Sequence, residues 1–143
     1  MGIFDFVKDA GAKILESAGD AAGAILGHVK TEVPDANASD VQVEYIDGTA
    51  KVSGTAASQA DKEKIILAAG NVHGVDKIDD NITVSGASEA ESRMYTVKSG
   101  DTLSAIAKAM YGHANEYHKI FEANKPMLKD PDKIYPGQVL RIP

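Results

Sequence analysis

No cysteine and no tryptophan occur in the 143 residues. The first absence excludes disulfides and thiolate metal centres, without by itself choosing a compartment. Aromatic residues make up only 6% of a chain that is 43% hydrophobic, enough to bury a core, but with so few aromatics two small domains are expected rather than one large one. Long apolar runs are missing as well, and no stretch approaches the roughly 20 apolar residues that a bilayer-spanning helix needs. The opening Met1-Gly-Ile-Phe-Asp-Phe-Val-Lys-Asp-Ala10 has no basic start, and Asp5, Lys8 and Asp9 interrupt its apolar residues, unlike a secretory signal. Phe6 stands where N-myristoylation after Gly2 requires Ser or Thr. The expectation is a cytoplasmic protein without stable membrane insertion. Ile3, Phe4, Phe6 and Val7 form too short a segment, lacking a basic face, for surface anchoring, and are expected to dock on the protein itself.

Charge is unevenly distributed. Residues 1–93 hold 8 Lys/Arg against 16 Asp/Glu, whereas 94–143 hold 7 against 5. The acidic first part argues against nucleic acid as a partner, and the opposite signs permit weak electrostatic docking between the two parts. Ile14, Leu15, Ala18, Ala22, Ile25, Leu26 and Val29 recur at helical spacing, weakened by Gly19, Gly23 and Gly27, which predicts one interrupted helix or two short ones before Pro34. Val41–Tyr45 alternates apolar with polar residues, Asp47-Gly48 follows, and Ala50–Gly54 resumes the pattern of a hairpin. Ser58 can cap a helix that carries Ile65, Ile66 and Ala69 on one face and stops at Gly70, after which Val75–Val84 reads as a strand. Ser85–Ser92 has no large apolar residue and reads as a flexible linker. Beyond it, Asp101 or Thr102 can cap a helix with the stripe Leu103, Ile106, Ala107 and Met110. Asn115 can start another bearing Tyr117, Ile120 and Phe121. Short strands around Tyr95–Val97 and Val139–Ile142 complete a βααβ unit.

Motifs at both ends of this last unit carry a resemblance. Tyr95-Thr-Val-Lys-Ser-Gly-Asp-Thr-Leu103, Tyr111-Gly112, Asn124 and Ile134-Tyr-Pro-Gly-Gln-Val-Leu-Arg-Ile-Pro143 together resemble a LysM domain. That resemblance implies recognition of N-acetylglucosamine-containing glycans in a groove between two loops. One loop is Gly100, Asp101, Thr102 and Leu103; the other is Ile134, Tyr135, Pro136 and Gly137. Polar and backbone groups there can meet acetamido and hydroxyl groups, with Tyr135 offering an apolar face. The same residues also serve as the fold's own turn and capping chemistry, and that reading is preferred. The order helix, strand, strand, helix, strand over residues 20–85, with Asp47-Gly48, Val52-Ser-Gly54 and Gly74-Val75, resembles a BON domain. The expected fold is therefore α+β. An N-terminal segment (1–19) precedes a BON-like αββαβ domain (20–85), a linker (86–93) and a βααβ LysM domain (94–143).

The combination resembles a family of cytoplasmic bacterial potassium-binding proteins across essentially the whole chain. The resemblance rests on the first eleven residues, on Gly70-Asn-Val-His-Gly-Val75 with Asp79-Asp80, and on Phe121-Glu-Ala-Asn-Lys-Pro-Met-Leu128. Ala12–Val33, richer in Ala and Gly, departs most. It implies a K+ site made of the main-chain carbonyls of Val7, Lys8, Ala10, Gly70, Val72 and Val75. The chemistry is consistent, because K+ is large and weakly hydrated and neutral carbonyl dipoles can replace its water shell. Helix ends supply such carbonyls with the negative end of the macrodipole behind them. Ala69-Gly70 is one expected helix end, and Ile3–Ala10 before Gly11 is a second candidate. Gly70 and Gly74 would allow positive φ and close approach to an ion.

Other chemistry has weaker support. His113 and His118 need not share a helical face, and His28 and His73 lack evident co-ligands, so exposed or turn histidines are preferred to zinc ligands. Asp79-Asp80 and Asp130-Pro-Asp132 lack calcium-loop spacing and read as solvated acidic turns. No catalytic arrangement is justified, and the chain is expected to be non-enzymatic and monomeric. Two readings remain. One is a potassium binder or sensor, open to Rb+ and Cs+, in which the ion compacts the domains. The other is a glycan-binding adaptor of the cell envelope.

Overall fold

The computed structural model describes residues 2–15, 19–34, 38–86 and 91–143. The N-terminal domain is a four-stranded sheet covered on one face by two helices. Strand β1 (Gly2–Asp5) is followed by α1 (Ala21–Glu32), the hairpin β2 (Ala38–Ile46) and β3 (Thr49–Ala56), α2 (Gln59–Gly70) and β4 (Lys77–Val84). The sheet order is β1-β4-β3-β2, with β3 and β4 parallel and the other pairs antiparallel. The hairpin turns where it was expected, at Asp47 and Gly48, whose φ values of 50° and 82° suit the primed turn that matches strand twist. α2 is the crossover between the two parallel strands. Its N-cap is Ser58, whose hydroxyl accepts from the Asp61 amide, and Ile65, Ile66, Leu67, Ala68 and Ala69 are buried against the sheet. Among the described residues the core is aliphatic but for Phe6.

Three expectations need correction. The segment read as a second helix end opens instead as β1, registered with β4 from Gly2↔Asp80 to Asp5↔Lys77. Alternate side chains then face opposite ways, so Ile3 is 57% exposed whereas Phe6 just beyond the strand is buried. Ile14 and Leu15 do not belong to α1, which Asp20 caps through the Gly23 amide; they pack on the core from the preceding loop. Ala18 lies outside the described residues. Asp80 is not a solvated turn residue. It sits in β4, 2% exposed, and pairs with Lys62 of α2 at 3.0 Å.

The C-terminal domain is β5 (Arg93–Thr96), α3 (Leu103–Tyr111), a short 3-10 turn (Ala114–Glu116), α4 (Tyr117–Ala123) and β6 (Val139–Ile142), with β5 and β6 antiparallel. Thr102, not Asp101, caps α3 through the Ala105 amide. Asp101 instead accepts from Tyr95 Oη at 2.7 Å and from the Lys98 amide at 2.8 Å, which fixes the loop after β5. Leu103, Ile106, Ala107, Ile120, Leu128, Leu140 and Ile142 form its core, and the buried Asn124 amide ties α4 to β6 through both directions of the Arg141 backbone.

The domains share a packed seam. Val139 belongs to the N-terminal domain's core, joined at its edge by Met94 and Met127. Asn71, the residue after α2, pairs with Val139 as a strand neighbour would: Nδ2 donates to its carbonyl at 2.9 Å and Oδ1 accepts from its amide at 2.8 Å. Arg141 Nε donates to Glu63 Oε1 at 2.8 Å, and both side chains are nearly excluded from solvent. Burial favours protonation of Glu63, but hydrogen bonds from the Ser92 amide, Gln59 and Arg141 outweigh it and hold the carboxyl below its ordinary pKa. Part of the expected linker, residues 87–90, lies outside the described residues. Ser92 on its far side is fastened to Glu63 at 2.8 Å.

Candidate functional site

The two stretches expected to supply carbonyl ligands lie side by side. After β1 the chain continues antiparallel to residues 74–76: the Phe6 amide donates to the Asp76 carbonyl at 2.9 Å, and the Gly74 amide to the Lys8 carbonyl at 2.7 Å. The segment then closes a turn, with the Ala10 amide donating to Val7 at 3.1 Å. Finally it crosses the end of α2, where the Ala12 amide donates to the Asn71 carbonyl and the His73 amide to the Ala12 carbonyl. Val72 accepts from the Val75 amide at 3.0 Å. Among the described residues, the carbonyls of Ala10, Gly70 and Val75 receive no backbone donor. Val7, Lys8 and Val72 each accept one hydrogen bond and keep a second lone pair.

Four contacts explain why these turns take this form. Gly11 has φ 98°, and a Cβ there would lie 2.5 Å from the carbonyl carbon and oxygen of Asn71, so the two backbones touch. Gly74, at φ 106°, has the positive angle expected of it, and its carbonyl accepts from Tyr45 Oη at 2.7 Å. Gly70 does not have a positive φ; it is the last residue of α2, and a Cβ there would overlap the Phe6 ring. The requirement at Gly70 is room for that ring rather than backbone conformation. Gly137, at φ 90° in the loop before β6, faces the segment from the other domain, since a Cβ there would come 2.6 Å from Ala10 Cβ.

The local field suits a cation. α2 ends at Gly70 with the negative end of its dipole directed at this turn. Beside Val75, Asp76 Oδ1 is buried without a hydrogen-bond partner among the described residues. Asn71, Tyr45 and Gly137 were not singled out for this site from the sequence. Their roles depend on contacts with residues 29 or more positions away, and nothing local marks them.

The residues expected to flank a glycan groove are divided. Thr102 and Leu103 line a depression of about 230 Å3 with Ser104, Tyr117, Pro131 and Asp132. Ile134 packs on the C-terminal core. Tyr135 lines a different cavity, between the domains, where burial and the nearby Glu32 charge push its hydroxyl up to about 12, and Gly137 meets the N-terminal segment. Gly100 is exposed at φ 87°, and Pro136 is exposed as well. Among the histidines, His113 and His118 are exposed, as expected, whereas His28 of α1 lines the interdomain cavity. Among the described residues no group of three His, Cys, Asp or Glu side chains could hold a metal. Asp130 accepts from the Asp132 amide in an ordinary turn.

Comparison with known proteins accounts for both domains. Residues 17–86 match the BON domain family and residues 95–143 the LysM domain family. The Potassium binding protein Kbp of Escherichia coli O6:H1 is 53% identical over 150 aligned positions, covering 100% of this chain and 99% of that protein. The chain belongs to the Kbp family. Shorter similarities extend to an uncharacterized protein of Deinococcus radiodurans, 54% identical over 50 residues that make up 35% of this chain and 19% of that one. Another is YqbP of Bacillus subtilis, 37% identical over 65 residues, or 39% of this chain and 30% of that one. Among the described residues no helix is long and apolar enough to cross a membrane.

Proposed function

We propose that the chain is a non-enzymatic, cytoplasmic potassium-binding protein and sensor, which holds K+ through the main-chain carbonyls of Val7, Lys8, Ala10, Gly70, Val72 and Val75. The observation that carries this reading is the lateral bonding of the segment after β1 to the turn after α2, which sets the two stretches carrying these carbonyls side by side next to the C-terminal end of that helix. The printed name of the full-length relative supports potassium as the ion. Neutral dipoles replace the hydration of a large cation, with no carboxylate among the proposed ligands to favour small or divalent ions, and Rb+ and Cs+ are expected to bind as well. Sodium would require the turns to contract, at a cost in strain. Because Gly137 of the C-terminal domain abuts Val7 and Ala10, an ion that orders this segment also completes the surface on which that domain rests.

The test is calorimetry of the dialysed protein against potassium and sodium chloride at matched ionic strength. Saturable heat with K+ and none with Na+ is expected; equal heats with the two salts rule out a selective site. The second reading, an envelope adaptor that binds N-acetylglucosamine glycans, is favoured by the LysM match and by the depression beside Thr102 and Leu103. Cell fractionation separates the two, since mature protein found outside the cytoplasm supports the adaptor and contradicts the sensor.

A further inference from the structure

A cavity of about 280 Å3 lies between the domains, bounded by α1, the chain after Ala10, the end of α2 and the loop leading to β6. None of the six proposed carbonyl ligands lines it. Its size is at the small end for ligand pockets, which typically run from roughly 300 to 1,000 Å3. Three features of its walls call for a ligand with charge of both signs. Gln138 is only 4% exposed, lines the cavity, and has a buried Oε1 with no donor among the described residues, a costly state for an amide oxygen unless something supplies a hydrogen bond. Glu32 of α1 lines the same space, and its negative charge acts on His28, one turn away on the same helix, and on Tyr135 from the other domain. Lys133, from the other domain, also lines it, yet no Glu32–Lys133 ion pair is formed among the described residues. Met127 supplies an apolar wall between the polar groups.

We propose that this cavity is a second ligand site, for a small zwitterion of amino-acid size whose ammonium meets Glu32 and the side-chain Oε1 of Gln138 and whose carboxylate meets Lys133. Such a ligand carries no net charge, provides the donor that Gln138 lacks, and joins α1 of one domain to the loop of the other. It differs from the potassium site in residues and chemistry, and does not require that reading to be correct.

The test is an NMR titration of the full chain with glycine, β-alanine, γ-aminobutyrate and δ-aminovalerate, run in sodium and in potassium salts. Butylamine and butyrate, each carrying half of the charge pair, are the controls. Saturable shifts at His28, Ala12 and Gln138 are expected with at least one zwitterion, and the half-ligands are expected to bind about tenfold or more weakly, as for the loss of one charge-assisted bond. Glu32→Gln and Lys133→Met should each weaken binding by a similar factor, and Lys108→Met on exposed α3 should not. Either of two results overturns the proposal: no zwitterion in the series shifts those resonances, in which case the cavity holds water only, or both charge-removing variants bind as tightly as the parent chain.

Discussion

Single residues around the candidate ion site are fixed by atomic clearance more than by side-chain chemistry. Gly70 is a good example: Phe6 lies where a Cβ would project, so Gly70→Ala should lift the ring and the segment that follows it. Because Val7, Lys8 and Ala10 follow directly, we expect at least about a tenfold loss of K+ affinity, equivalent to roughly 1.4 kcal/mol, as well as a lower Tm. Unchanged calorimetric affinity in this variant would show that Val7, Lys8 and Ala10 are not ligands. His28 governs a different property. Burial lowers its pKa most, Lys129 lowers it further, and Glu32 opposes both, so the folded value lies below the ordinary 6.5. The folded chain then binds fewer protons than the unfolded chain in this range, and stability falls as pH drops below the unfolded value toward the folded one. The thermal midpoint should therefore fall between about pH 7 and pH 5, with a smaller decrease in His28→Gln. Identical slopes in the two proteins would remove His28 as the cause.

Elements whose signals are local could be read directly from the chain. Asp47-Gly48 forms the hairpin turn, Ser58 caps α2, and Leu103, Ile106 and Ala107 are the buried stripe of α3. β1 was not legible, because it is a four-residue edge strand whose pairing with β4 spans more than seventy positions, and its alternation is too short to distinguish from an apolar helical turn. Asp80 was misread for a related reason: its burial depends on Lys62 reaching it from α2, which no local pattern encodes. At the candidate site, the Gly70 end follows from helix-stop chemistry, whereas Val7, Lys8 and Ala10 are proposed as ligands only through the resemblance to a known family. α1 illustrates the cost of weak local preference. Gly27 lies in its exposed interior with open space where a Cβ would go, so Gly27→Ala should stabilise the protein by roughly 0.5–1 kcal/mol. Chemical denaturation measures this directly, and a destabilised variant would imply that the glycine serves a contact outside α1.

At the seam, a buried ion pair and an amide that imitates a strand partner join the two domains beside Val139, Met94 and Met127, which pack on the N-terminal core. Arg141→Met leaves Glu63 buried without its cation and should cost roughly 3–5 kcal/mol, while Glu63→Leu combined with Arg141→Met should recover much of that. Denaturation of the two variants checks the pair, and a double variant no better than the single one would place the loss in the contacts of Arg141 with Ala123 and Ser92. The seam would also link an ion bound at the proposed site to the arrangement of domains. Gly137 rests on Ala10 and Val7, and Asn71 joins the turn after α2 to Val139, so both proposed ligand segments form part of the seat of the C-terminal domain. An ion that binds only the assembled arrangement favours it by RT ln(1 + [L]/Kd), about 2.7 kcal/mol at a hundredfold excess over Kd, enough to decide a marginal docking equilibrium. By reciprocity, weakening the seat must weaken the ion. Potassium should therefore reduce the radius of gyration and slow amide exchange across Ile3–Ala10, Gly70–Val75 and Val139 relative to equimolar sodium. Gly137→Val, which forces the loop away from Ala10, should abolish the compaction and lower K+ affinity by the same free energy that the docking supplied. If scattering and exchange are identical in the two salts while calorimetry still reports selective binding, the carbonyl site acts without moving the domains, and the chain is a passive potassium binder.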